Sequence, residues 1–317
     1  MELITLFNYI DTNKTDEVID AISSGFPINE QDKAYGTTLL HRAIMMENKQ
    51  LILFLLESGA NPTISCSFSS FPLHLATFKG DVSIVQLLVE HGADIEAKNE
   101  IGETPIFIAL RFGYQNTFSY FLQIGALSDH QDQKGNTLLH VACSIEDGSF
   151  AELLLDSRPI PSVTNEKGEH VIHTALFYQR TSMIKKMVSL GVSLSLLNHE
   201  KESPLFYAVR MGNEELTSFL LVSGSDPNVK NEFNETPLFL GVRARFVPLV
   251  SLLLKHGADP NILNQEEQTV LATINPFAYN YNPELLQVLL SYRHLFEGKA
   301  RKKLQALGLR KVFDVKK

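Results

Sequence analysis

The segment that decides the fold is Thr38-Leu39-Leu40-His41, because its pattern returns every 33 residues. Steps of that length give seven further segments in register, without an insertion or deletion: Phe71-Pro72-Leu73-His74, Thr104-Pro105-Ile106-Phe107, Thr137-Leu138-Leu139-His140, His170-Val171-Ile172-His173, Ser203-Pro204-Leu205-Phe206, Thr236-Pro237-Leu238-Phe239 and Thr269-Val270-Leu271-Ala272. Glycine marks the same period at Gly59, Gly92, Gly125, Gly191, Gly224 and Gly257, with Arg158 in the one missing place. Two markers with a single period predict a repeat protein.

Each unit is predicted to contain two helices. A hydroxyl residue before proline, as in Thr104-Pro105, is typical of a helix start, where the hydroxyl caps the helix and the missing N–H of proline costs nothing. A turn at Gly80-Asp81 precedes a second helix with apolar residues at Ile84 and Leu88, which ends at Gly92. Helices this short are not stable alone in water, so the units must stack on their neighbours.

These motifs resemble the ankyrin-repeat family. The matching patterns are Gly-x-Thr-Pro-Leu-His at the first helix and Leu-Leu-x-x-Gly-Ala-x-x-Asn at the second, which is best kept over 253–261. The resemblance covers 33–263 as seven complete repeats. It also predicts a capping repeat over 1–32, a degenerate repeat over 264–294 and a basic tail or capping helix over 295–317. The fold it implies is an all-α ankyrin-repeat solenoid of stacked helix pairs with β-hairpin-like fingers.

Two units depart from the family pattern. One has Arg158-Pro159 in place of Gly-Ala, followed by Pro161, so we expect its finger to be distorted. Another has Gly241 where the family usually has alanine, and Pro248 near the start of its second helix. Proline is tolerated in the first helical turn and would break the helix one turn later.

Composition limits the classes of protein to which this chain can belong. With 44% hydrophobic and 20% charged residues in 317, the chain is typical of a folded protein. Residues 292–317 contain nine Lys or Arg and two acidic residues, which gives this segment a charge of +7. Since the net charge of the chain is −8, residues 1–291 carry a charge of −15. An acidic body of this kind makes nucleic acid an unsuitable partner. Two cysteines exclude a disulfide scaffold and a Cys-rich zinc module.

Targeting signals are not evident in the sequence. No run approaches ~18 apolar residues, so we expect no transmembrane helix. The start, Met1-Glu2-Leu3-Ile4-Thr5, has neither a basic region nor a long apolar core, so we expect no standard secretory signal. The sequence therefore predicts a reduced, cytoplasmic protein.

No motif in the chain predicts catalysis or metal binding. Four histidines share one repeat position: His41, His74, His140 and His173. Stacking would separate them by roughly 10 Å, the diameter of a helix, which is too far for one metal ion, so we expect them to hydrogen-bond between neighbouring turns. Cys66 and Cys143 lie more than two repeats apart, and no phosphate-binding loop is present. We therefore predict no catalytic residue, no metal and no cofactor, and a protein that is not an enzyme.

The family resemblance implies where a partner would bind. Ankyrin proteins generally use the finger tips and the end of the first helix. The matching finger tips here are Tyr35, Phe68, Ile101 and Phe233. The matching helix ends are Met45, Met46, Phe78, Arg111, Phe112, Phe177, Tyr178, Arg210, Met211 and Arg243. Because large apolar side chains and arginine dominate binding energy at protein interfaces, these residues predict a protein partner in the concave groove of the fold.

Glutamates on the fingers suggest the charge of that partner. Glu200, Glu202, Glu232 and Glu235 are predicted to face solvent and to steer a basic segment with apolar anchors towards the groove. A solvated acidic surface without a partner is the other interpretation.

The family resemblance also implies a modification. Some ankyrin proteins are hydroxylated on the asparagine four residues after the finger glycine, a position held here by Asn228 and Asn261. The other interpretation is that these asparagines hold their loops by hydrogen bonds.

The sequence thus predicts a monomeric, non-enzymatic scaffold or adaptor for protein–protein interaction. One alternative is a secreted effector of an intracellular bacterium, which would bind a host protein in the host cytosol by the same surface. Another is an adaptor held at an anionic membrane or in the nucleus by its basic tail, which is otherwise a capping helix. An enzyme with a cryptic site is a further class.

Overall fold

The computed structural model describes residues 2–67, 70–157, 160, 162–274 and 282–314, with side chains described as far as Leu307. The chain divides into two compact units, Met1–Leu154 and Leu155–Lys317. The helices that begin in the first unit are α1 (Leu3–Asp11), α2 (Thr15–Ser23), α3 (Leu39–Met45), α4 (Lys49–Glu57), α5 (Pro72–Lys79), α6 (Val82–Glu90), α7 (Pro105–Arg111), α8 (Gln115–Gln123), α9 (Leu138–Ser144) and α10 (Ser149–Ser157).

The second unit continues the pattern of paired helices. Its α-helices are α11 (Val171–Phe177), α12 (Thr181–Ser189), α13 (Pro204–Arg210), α14 (Glu214–Val222), α15 (Pro237–Ala244), α16 (Val247–Lys255), α17 (Pro283–Ser291) and α18 (Gly298–Asp314), with short 3-10 helices at Val270–Thr273 and Arg293–Leu295. Apart from one isolated β-bridge between Cys66 and Ser70, the described residues form no β-structure, so the expected all-α architecture of paired helices is confirmed.

Within each unit the helices stack in chain order. In the first unit α3 packs on α1 and α5, and α4 packs on α2 and α6. In the second unit α13 packs on α11 and α15, and α16 packs on α14 and α17. Leucines of the repeated motif, such as Leu40, Leu73, Leu205 and Leu238, are buried between these layers. Burial of such residues between neighbours supplies the stability that each short helix lacks.

Helix starts follow two chemical patterns, and only one was predicted correctly. Proline occupies the first turn of α5, α7, α13 and α15, as expected. The expected hydroxyl cap is wrong for Thr104, Ser203 and Thr236, whose hydroxyls make no hydrogen bond in the described structure. In Thr38-Leu39-Leu40-His41, Thr38 does form a reciprocal capping box, because the His41 imidazole Nδ1 accepts a hydrogen bond from the Thr38 amide, which a phenylalanine ring cannot do.

The repeated histidines join successive repeats, which confirms their structural role. Nε2 of His41 donates to the carbonyl oxygen of Ser70 at 3.4 Å, and Nε2 of His74 donates to that of Glu103 at 3.1 Å. Burial lowers the pKa of His41 and of His173 to about 4, so both imidazoles are neutral at neutral pH. These neutral rings therefore link neighbouring repeats by hydrogen bonds inside the stack of helices.

Fingers between the repeats are tight turns joined to their neighbours by single backbone hydrogen bonds. The amide of Glu232 donates to the carbonyl of Glu200 at 2.9 Å, and the amide of His199 donates to that of Lys167 at 3.1 Å. Gly168 is required at its tip, because its φ is +70° and a Cβ there would lie 2.3 Å from the His199 ring. The fingers are thus held in register by the main chain.

The structure tests the predictions for only one of the two repeats that depart from the family pattern. Pro248 lies in the first turn of α16, where it is tolerated as predicted. At Gly241 a methyl group would lie 3.3 Å from Val250 Cγ2, so the missing Cβ makes room for that valine. The predicted distortion at Arg158, Pro159 and Pro161 concerns residues outside the described part of the chain.

The last repeat is reduced and covered by the tail. A 3-10 helix, Val270–Thr273, replaces its first α-helix, and α17 follows. Helix α18 packs on both and buries Ala300, Leu304 and Leu307. In the described ranges, no helix is both long enough and apolar enough to cross a membrane.

Candidate protein-interaction surface

The ends of the first helices carry exposed apolar side chains in both units. We call these residues the helix-end row of their unit: Met45, Met46, Phe78 and Phe112 form the row of the first unit, and Phe177, Tyr178 and Met211 form the row of the second. The exposed fraction is 53% for Phe78, 47% for Phe112, 54% for Phe177 and 42% for Tyr178. Their predicted exposure to solvent is therefore confirmed, and an aromatic side chain left this open is available to a partner.

In the first unit the helix-end row contains an aromatic cluster. The rings of Phe78 and Phe112 meet edge to face with centroids 4.9 Å apart, and Phe112 stacks on Tyr114 at 6.0 Å. The Tyr114 hydroxyl donates to the carbonyl of Phe78 at 3.2 Å, which ties two repeats together. Sequence reasoning missed Tyr114, although it stands where the equivalent repeats have the helix caps Asp81 and Asn213.

In the second unit the row consists of two adjacent residues of one repeat, Phe177 and Tyr178, and one residue of the next repeat, Met211. Phe177 and Tyr178 meet edge to face with centroids 5.1 Å apart. Met211, one repeat further on, is 36% exposed. Because aromatic pairs of this kind hold each other in place, they form rigid contact area for a partner.

Three of the predicted finger tips are exposed, namely Tyr35, Ile101 and Phe233. The fourth, Phe68, lies outside the described residues. The exposed tips are large apolar groups, the type of side chain that contributes most to binding at protein interfaces.

Three finger glutamates are buried, and each pairs with an arginine eight residues later: Glu103 with Arg111, Glu202 with Arg210 and Glu235 with Arg243. The prediction that Glu202 and Glu235 face solvent is therefore wrong, since only 3% and 7% of their surfaces are exposed. Their carboxylates point to the base of the finger, where the arginine of the same repeat neutralises them. Glu200 and Glu232 do face solvent, as predicted.

The paired arginines remain partly exposed. About half of the side-chain surface of Arg210 and of Arg243 is open to solvent, while each guanidinium is held by its buried glutamate. Burial raises the pKa of Glu202, even though Arg210 acts in the opposite direction. Arginines held in this way keep N–H groups that can donate to a partner.

One finger glutamate, Glu169, is stabilised in a different way. Eight residues later the chain has Phe177 instead of arginine. The Tyr207 hydroxyl of the next repeat donates to Glu169 Oε1 at 2.7 Å, and Asn165 Nδ2 donates to Oε2 at 2.9 Å. Although burial alone would raise the pKa of Glu169, these hydrogen bonds lower it. Because Glu169 is hydrogen-bonded without an arginine, the helix end eight residues later can carry an uncharged aromatic residue, Phe177.

Both asparagines at the predicted hydroxylation position bridge neighbouring loops. Asn228 Nδ2 donates to the carbonyl of Gly257 at 3.0 Å, and its Oδ1 accepts from the amide of Asp259 at 2.8 Å. Asn261 bonds in the same way to Leu295 and Glu297. These contacts give both residues a structural role, and their hydroxylation stays a prediction.

Metal-ligating and thiol groups were the sites most open to chemistry in this composition. No three His, Cys, Asp or Glu side chains there are placed to hold a metal ion. Cys143 is buried, and burial raises the pKa of the Cys66 thiol, which works against a nucleophilic thiolate.

Comparisons with known proteins agree with this architecture. A family model described as ankyrin repeats (3 copies) matches five overlapping stretches: 6–99, 73–160, 145–231, 172–264 and 205–294. Among solved structures, the ankyrin repeat domain of Bcl-3, a member of the IkappaB protein family, superposes with a TM-score of 0.60 at 21% identity. That match covers 73% of this chain and 99% of the Bcl-3 domain, and at this identity it shows the fold alone. A search of curated proteins finds no match.

Ankyrin repeats are general protein–protein interaction modules, and the fold is typically a non-enzymatic binding scaffold. The family model covers residues 6–294 without a gap. The chain therefore belongs to the ankyrin-repeat family.

Proposed function

We propose that the chain is a non-enzymatic scaffold or adaptor that binds a partner protein through the helix-end rows and exposed finger tips of its units. The observation that carries this proposal is the exposure of paired aromatic residues, Phe78 with Phe112 and Phe177 with Tyr178. A partner that covers such rings removes a large apolar area from water. The fold by itself supports only binding in general.

The charges beside the row favour a particular order of events on binding. Glu200 and Glu232 are exposed and joined through their backbones, so they can attract a basic flank of the partner. Arg210 and Arg243 are held by buried glutamates and can donate hydrogen bonds once the partner has docked. The aromatic residues then supply most of the affinity.

The test uses a partner first identified by affinity capture and mass spectrometry. Its association and dissociation rates are measured with the wild type and with Phe112→Ala/Tyr178→Ala. We expect the variant to lose about 2 kcal/mol or more of binding free energy, mainly through faster dissociation. Leu53→Ala/Val222→Ala is the matched control, because it truncates exposed apolar residues on second helices, and its affinity should match the wild type. Equal affinity of the aromatic variant and the wild type would reject the proposed surface.

A second role is supported by the basic face of α18, which exposes Arg301, Lys302 and Lys303. This face can hold the adaptor at an anionic membrane, or direct it to the nucleus, without unfolding the cap. Lys302→Gln/Lys303→Gln tests the membrane role better than a deletion, because α18 also buries Leu304. Vesicle binding that is weakened by the variant and by salt supports this role, and unchanged binding rejects it.

We also propose that the protein resides in the cytoplasm, or in the cytosol of a host cell if it is a bacterial effector. Cell fractionation tests this location.

A further inference from the structure

The first and last helices of the described structure carry opposite charge. Residues 2–32, which contain α1 and α2, have seven acidic residues and one base, Lys14. Residues 293–307, which include the described side chains of α18, have five bases and one acid, Glu297. Charge of opposite sign at the two ends of one chain is complementary between copies of it.

The acidic end forms a cleft beside α2. Its volume is about 610 Å³, and its lining includes Tyr9, Glu17, Asp20 and Glu30. Glu17, Asp20 and Glu30 are exposed, and no ion pair to them is present in the described structure. The one basic residue of 2–32, Lys14, lies over the ring of Tyr9, with its Nζ 5.7 Å from the ring centroid. The outer face of α2 thus has a net negative charge and, in the described ranges, no helix packed on it.

The basic end has the opposite character. Helix α18 uses Ala300, Leu304 and Leu307 to cover the last repeat. Arg301 and Lys302 consequently point away from the repeat and are exposed, and neither forms an ion pair among the side chains that are described. The apolar side of α18 is therefore already buried, while its basic side, as far as its side chains are described, is exposed and forms no ion pair.

We propose that the chain associates head to tail with a second copy of itself, the basic face of α18 in one copy docking against the acidic face of α2 in the next. Helix against helix is how every repeat of each unit already meets its neighbour. Each polar end is soluble alone, so the contact is weak, reversible and sensitive to salt.

A head-to-tail contact differs from a closed dimer in its consequence. Because each copy keeps one end of each sign, the contact repeats and produces open chains or rings. The monomer predicted from the sequence is then the species at high ionic strength or low concentration.

The experiment measures the mass of the full-length chain by sedimentation over a range of concentrations. The wild type should exceed the mass of a single chain at about 50 mM salt, and return to it at about 500 mM. Glu17→Gln/Asp20→Asn/Glu30→Gln neutralises the acidic end, and Arg301→Gln/Lys302→Gln/Lys303→Gln neutralises the basic end. Each variant alone should remain a single chain, whereas an equimolar mixture has one matching pair of ends and should stop at a dimer.

Glu57→Gln/Glu90→Gln/Glu152→Gln is the matched control, since it removes three exposed acids from other helices and should assemble as the wild type does. A wild type that stays a single chain at low salt would overturn the proposal. So would assembly of either end variant on its own, or loss of assembly in the control. A mixture that fails to form dimers would overturn it as well.

Discussion

The repeats that contain Glu169 and Glu202 meet the same requirement with different chemistry. Each places a glutamate at the base of its finger and must neutralise or hydrogen-bond it. Glu202 is paired within its own repeat by Arg210. Glu169 is bonded by Tyr207 from the following repeat, and Phe177 occupies the position that corresponds to Arg210.

This difference shows how the surface composition of a repeat depends on a contact hidden beneath it. A repeat that neutralises its own glutamate must present an arginine at the helix end. A repeat that receives a hydroxyl from its neighbour can present an aromatic residue there. The apolar pair Phe177 and Tyr178 therefore depends on Tyr207.

The largest expected effect tests whether the two repeats differ only at the finger. Met187 and Leu220 occupy equivalent positions in α12 and α14 and are fully buried. Replacing either by alanine should lower the free energy of unfolding by about 2–5 kcal/mol, because burial is lost and a cavity is left. Chemical denaturation of both variants measures this. Costs that differ by several kcal/mol would show that the contrast extends into the core.

A smaller effect should separate the two helix ends directly. Arg210→Ala leaves Glu202 buried without its partner and should destabilise the chain by about 1–3 kcal/mol. Phe177→Ala, at the equivalent position, removes an exposed ring and should change stability by less than about 0.5 kcal/mol. Thermal and denaturant unfolding of the two variants provide the comparison. Equal losses would contradict the proposed division between an ion-pairing and an apolar repeat.

The smallest effect is a pH dependence of opposite sign for the two glutamates. The lowered pKa of Glu169 gives stability that is present above its ordinary value of 4.5 and is lost as pH falls through the folded-state pKa. The raised pKa of Glu202 has the opposite effect, so stability is lost as pH rises from 4.5 through the folded-state pKa.

Glu169→Gln should accordingly flatten the gain in stability from acid to neutral pH, and Glu202→Gln should steepen it. Unfolding measured across that range, with the wild type alongside, reveals the two slopes. Variants that change the profile in the same direction would refute the assignment.

Much of the architecture follows from the sequence, because the repeat fixes the register of the paired helices from α3 to α16. The exposure of Phe112 and Phe233 was predictable from their places in the repeat. Burial of Glu202 was not, since a finger glutamate can turn outwards or towards the helix end, and residue type does not decide between them. A signal did exist: Glu103, Glu202 and Glu235 are each followed by arginine after eight residues, and Glu169 is not.

The contribution of Tyr207 could not have been inferred from the repeat at all. Its equivalents in neighbouring repeats are Thr174 and Leu240, so no periodic pattern points to it. Only the folded chain brings its hydroxyl to Glu169.

The hydrogen bonds between fingers have a consequence for how this chain can change over evolutionary time. Each joins residues 32 positions apart, as from Gln133 to Ile101, from His199 to Lys167 and from Gln265 to Phe233. Loss or duplication of one whole 33-residue unit brings an equivalent donor to an equivalent acceptor, whereas loss of a single residue shifts every later finger out of step. Selection can therefore lengthen or shorten the chain in complete units, which changes how much of a partner it spans while the chemistry of each junction stays the same.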